Sequence, residues 1–139
     1  MAILRVGWLC RAEYEWGQHV EIGRRAGLSD ADIARIAEGP EAAGWTPHDA
    51  ALLAAVDELH GDACVSDATW TVLRQRYDTA QLMDLVFTVG NYALVSMALN
   101  TLGVRLEEGV AGFARPAGAP GAEKANAPLS LKKAGRSLD

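Results

Sequence analysis

The chain is short of positive charge, of cysteine and of aromatic side chains. Thirteen lysines and arginines stand against eighteen aspartates and glutamates, a formal charge of −5 with a pI near 5.1. Nucleic acids and anionic membranes are held by a surplus of Lys and Arg on one face, so neither is an expected partner. Only two cysteines, Cys10 and Cys64, occur in 139 residues. With no secretory signal pattern, they point to a reducing cytoplasm and to buried thiols rather than a disulfide. The sequence has no Gly-rich phosphate loop and no hydrolase nucleophile elbow. It also lacks β-branched residues alternating with polar ones, which excludes a sheet.

What remains is one domain's worth of chain, 50% hydrophobic and 22% charged, enough to bury a single core. Charge divides it unevenly. Sixteen of the eighteen acids and eight of the thirteen bases fall in residues 1–108, leaving −8 there and +3 beyond, and every base in that body is an arginine. From Gly109 onward the run ARPAGAPGAEKANAP has no helical or strand periodicity. The expected organisation is a helical domain over 1–108 followed by a flexible Ala/Gly/Pro-rich tail over 109–139.

Helix punctuation is frequent. No proline interrupts Ile3 to Ala26, and Gly27 supplies a left-handed stop, which predicts one long first helix. Ser29 is the N-cap of a short helix ended by Gly39-Pro40. Thr46 with Pro47 opens a third that buries Leu52, Val56 and Leu59 before Gly61. Ser66-Asp67-Ala68 opens a fourth, and Asp78 with Gln81 forms a capping box for a fifth that ends at Gly103. The fold class is all-α, a compact bundle of about five helices. Leu85 to Val104 contains no charge over twenty residues, the length of a membrane span, but its scattered Thr, Asn and Ser and the lack of a basic flank mark a central helix instead. Its apolar residues spread over more surface than a small bundle covers, so a homo-oligomer is expected.

The densest ionisable cluster is Glu13-Tyr14-Glu15-Trp16-Gly17-Gln18-His19. Glu15 and His19 are four apart, hence on one helix face, where the carboxylate can fix the imidazole tautomer and favour its protonated form. A plain helical salt bridge has the same spacing; the interleaved Tyr and Trp favour partial burial and a proton-transfer role. Tyr14 and Gln18 make a second four-apart couple beside it. No second His or Cys stands at ligand spacing, so no metal is expected. His60 reads as a cap at a helix C-terminus and His48, after Pro47, as exposed.

The segments AEYEWGQHVEIGRRAGLS, DELHGDACVSDATWTVL and LVFTVGNYALVSMAL together resemble the carboxymuconolactone decarboxylase family over roughly residues 2–105. The resemblance implies an alkyl hydroperoxidase D-like helical fold assembling into trimers or hexamers, with either cofactor-free decarboxylase or thiol peroxidase (peroxiredoxin) activity. The peroxidase branch carries cysteines seven and four positions before the active-site histidine. Here these positions are Ala12 and Glu15, which removes that route. The family pattern also places a glutamate nineteen positions before His19, just ahead of Met1, so the sequence reads as a family helix entered partway, with the N-terminal helices missing. Decarboxylation requires only a proton donor and a dry site. The residues expected to supply them are His19 as donor, Glu15 as its orienting partner and Tyr14 as a catalytic hydrogen-bond donor. Arg11, eight residues before His19, Tyr92 and Trp16 are expected to bind a small carboxylated lactone or enol acid, with Arg5 as a weaker alternative for its carboxylate. The rival reading is an oligomeric scaffold without catalysis.

Overall fold

A computed structural model describes residues 1–113. All regular structure among them is helical, in the order α1 (Ala2–Leu9), α2 (Glu13–Arg25), α3 (Asp30–Glu38), α4 (Pro47–Asp62), α5 (Asp67–Leu73) and α6 (Thr79–Leu102). The count is six, not five, because the expected first helix is broken. Arg11 adopts a left-handed conformation at φ 53°. The Arg11 amide donates to the Trp8 carbonyl and the Ala12 amide to that of Gly7. This is the two-bond closure that normally uses glycine. No Gly or Pro marks it in the sequence, and an L-residue in that region costs of order 1 kcal/mol. The next closure follows the expected glycine: Gly27 at φ 98° ends α2, with Leu28 donating to Gly23.

The caps of the other helices match the side chains that predict them. Ser29 and Asp32 form a reciprocal capping box on α3. The Thr46 and Ser66 hydroxyls accept from the amides of Asp49 and Thr69. Asp78 and Gln81 form the box on α6, and Gly103 closes it at φ 66°. Gly61 does not end α4: the helix runs one residue further to Asp62, and Ala63 takes the left-handed turn at φ 55°.

Three apolar clusters hold the elements. Leu4, Trp16, Val20, Ile33, Ile36 and Leu53 join α1 through α4. Ala51, Ala55, Leu73 and Leu82 seat α5 and the start of α6 on α4. Val6, Val56 and Val89 bring α1, α4 and the middle of α6 together. Arg5 ties this core internally. Its guanidinium meets both Asp57 carboxylate oxygens at 2.6 and 2.7 Å and donates to the Ile36 and Ala37 carbonyls at the end of α3.

Among the described residues α6 is covered on one side only. Phe87, Leu94 and Met97 are 67%, 65% and 61% exposed, and Met83, Val86 and Leu102 are also open. By length and composition alone this helix could also cross a membrane. After Gly103 the chain turns back along α2. Of the segment expected to be a tail, residues 109–113 are described, and Phe113 stacks on Trp8 and Trp16 at centroid distances of 5.0 and 5.8 Å. Residues 114–139 lie outside the described part.

Candidate active site

The break at Arg11 rotates the start of α2, so the seven-residue cluster divides among three environments. Trp16 turns inward, 4% exposed, with its ring on Trp8 at 5.1 Å. That makes it a core side chain, and the expected contact with substrate is not what the packing provides. Arg11 sits exposed in the corner between two helices. The two-turn register with His19 assumed for it does not exist, because the helix connecting them is interrupted. Arg5, the weaker alternative, is fully engaged by Asp57 and α3.

Glu15 and His19 are brought together as their spacing requires. His19 Nδ1 lies 2.7 Å from Glu15 Oε1, with both side chains largely buried. The ring N–H is better aligned to the Glu15 carbonyl oxygen, at 3.1 Å, so Oε1 makes the close charge contact without an aligned hydrogen bond. Burial holds the Glu15 carboxyl above its ordinary range, and the imidazole beside it acts in the opposite direction. Glu15 can be buried here because Gly7 of α1 passes beside it: a Cβ at position 7 would contact the Glu15 side chain at 3.6 Å.

α6 supplies the opposite wall. Tyr92 meets the His19 ring edge-on, with centroids 5.1 Å apart. A carboxylate, an imidazole and a phenol from two elements therefore converge, 77 residues apart in the chain at their widest (Glu15 to Tyr92). Such a group can hold a proton on the ring and deliver it to a substrate atom.

Over residues 1–58 the chain matches the Carboxymuconolactone decarboxylase family. The matched region contains α1, α2, α3 and most of α4, and with them Glu15 and His19; Tyr92 and α6 lie beyond it. No curated protein and no solved structure matches.

Tyr14, the other expected catalytic residue, faces away from His19. Its hydroxyl donates to Glu107 Oε1 at 3.0 Å, and the Gln18 amide donates to Glu107 Oε2 at 2.7 Å. The Glu107 hydrogen bond and charge push the Tyr14 phenol up. The four-apart spacing of Tyr14 and Gln18 was readable; their partner was not, because 89 residues separate Gln18 from Glu107.

The thiols are not both buried. Cys64 is exposed and Cys10 half-buried, and both are free. They sit at α4–α5 and at the end of α1, where local turns rather than the core set their exposure. Burial pushes the Cys10 thiol up. Cys10 Sγ lies 3.8 Å from His60 Nδ1 and not against His19. His48 also departs from expectation: it is buried and edge-on to Tyr77 at 4.6 Å, because the first turn of α4 packs under the α5–α6 connection. Among the described residues no three His, Cys, Asp or Glu side chains are grouped to hold a metal ion.

Proposed function

We propose that this chain is a cofactor-free acid/base lyase that decarboxylates a small carboxylated lactone or related enol acid. The observation that carries the reading is the buried Glu15–His19 contact with Tyr92 against the ring. In the proposed reaction the bond between the substrate carbon and its carboxylate breaks, carbon dioxide leaves, and the electron pair enters the conjugated lactone. His19, as imidazolium, delivers a proton to the carbon of the lactone at which that pair is quenched. Glu15 orients the ring, and Tyr92 hydrogen-bonds the developing enolate oxygen. The peroxidase alternative is disfavoured, since Ala12 and Glu15 occupy the thiol positions and Cys10 faces His60.

The open apolar face of α6 supports self-association, and the proposed form is a cytoplasmic trimer or hexamer packed through that helix. A non-catalytic scaffold would use the same face. Decarboxylation of carboxymuconolactone by wild type and His19→Ala separates the two: loss of general-acid assistance lowers the rate roughly 10²–10⁴-fold. Equal rates would leave the scaffold.

A further inference from the structure

We infer that Tyr14 and Gln18 form a receptor for a carboxylate and that Glu107 occupies it as the chain's own competitor. The inference rests on the lyase reading only in taking the incoming ligand to be the carboxylate of a small organic acid.

The Glu107 contact differs from an ordinary surface ion pair. Each carboxylate oxygen meets a different donor, a phenol O–H at 3.0 Å and an amide N–H at 2.7 Å, and both donors are neutral. Donors set one helical turn apart match the two oxygens of a carboxylate, and hydrogen bonds to an ionised acceptor are the stronger kind. The receptor lies in the first two turns of α2, whose N-cap, Ala12, offers no side-chain cap and whose first turn already holds Glu13 and Glu15.

Glu107 is not what holds the returning segment down. Leu106, Val110 and Ala111 lie directly over Gly17: a Cβ added at that glycine would come within 2.6 Å of Leu106 Cδ2 and 3.0 Å of the Ala111 carbonyl. Gly112 passes close to the Glu13 side chain, which a Cβ there would have to displace. Phe113 anchors the end against Trp8 and Trp16. With apolar anchors on both sides, the Glu107 carboxylate is presented to Tyr14 and Gln18 at high effective concentration. An external carboxylate must displace it, and its apparent affinity falls by the fraction of time the receptor is free. The receptor stripe lies next to the Glu15–His19 stripe, about 100° around the same helix.

The test is a calorimetric titration of the full chain with benzoate, which needs no turnover and so reads the receptor whether or not the chain decarboxylates anything. Glu107→Ala binds benzoate on the order of tenfold more tightly than wild type, and Glu107→Gln shows a smaller gain. Adding Tyr14→Phe or Gln18→Ala to Glu107→Ala removes the gain, and benzamide shows none at any stage. Tryptophan fluorescence, reporting Phe113 on Trp8 and Trp16, stays as in wild type. Equal benzoate affinity in wild type and both Glu107 variants overturns the inference. So does a gain that survives loss of the Tyr14 hydroxyl and the Gln18 amide.

Discussion

Replacing Arg5 by methionine removes a guanidinium that is 8% exposed and makes four hydrogen bonds: two to Asp57 and two to the end of α3. The flexible stem volume is kept, so the loss is electrostatic rather than a cavity. Breaking one side of a buried pair costs about 3–5 kcal/mol. The Asp57 side chain is 31% exposed, so water takes up part of the stranded charge and the lower end, about 3 kcal/mol, applies. At roughly 4 °C per kcal/mol for a domain of this size, the melting temperature falls by roughly 10–15 °C. Arg5→Met with Asp57→Leu removes the stranded charge along with its partner and recovers much of that loss. The assay is thermal unfolding followed by helical circular dichroism for wild type, single and double variants. A single variant melting within about 3 °C of wild type would refute the reasoning. It would also return Arg5 to the pool of groups free to meet a substrate.

Two further outcomes follow from the same geometry. Glu15 has its carboxyl raised by burial, so as pH climbs through the ordinary carboxylate range the unfolded chain ionises there before the folded one does, and wild type loses stability relative to Glu15→Gln. Urea midpoints of the two proteins at pH 4 and pH 7 measure this; a difference that does not grow with pH contradicts it. Light scattering at micromolar concentration gives a trimer or hexamer for wild type and a monomer for Phe87→Asp/Leu94→Asp. A wild-type monomer would remove the case for assembly through α6.

How much of this was legible in the sequence depends on which group carried each signal. Caps built from side chains, such as Ser29, Thr46, Ser66 and Asp78 with Gln81, announce themselves because Ser, Thr and Asp oxygens are what the first-turn amides need. The corner at Arg11 is closed by backbone bonds alone, and Ala63 likewise turns left-handed without glycine, so neither leaves a compositional trace. The Glu15–His19 pair was readable because both residues sit on one helix, where spacing fixes geometry. The approach of Tyr92 to His19 joins α2 to α6 across 73 residues of chain, which periodicity does not show. Glu107 on Tyr14, Phe113 on the two tryptophans and the burial of His48 depend on how distant elements dock, which local patterns do not encode. Trp16 shows the converse error: a large aromatic beside a reactive pair was read as a ligand contact, when its apolar area serves the core.

The position of α6 in the chain also bears on biosynthesis. Its packing partners α1, α2 and α4 all precede it, so they have left the ribosome before the apolar helix emerges. The inner side, with Leu82, Val89 and Ser96, can therefore close onto an existing surface at once. Among the described residues the outer side, with Phe87, Leu94 and Met97, has no such partner. In the proposed assembly, newly made protein would pass through a concentration-dependent interval in which a greasy stripe is exposed, and the ratio of productive encounters to aggregation would be set by how fast copies accumulate near one another.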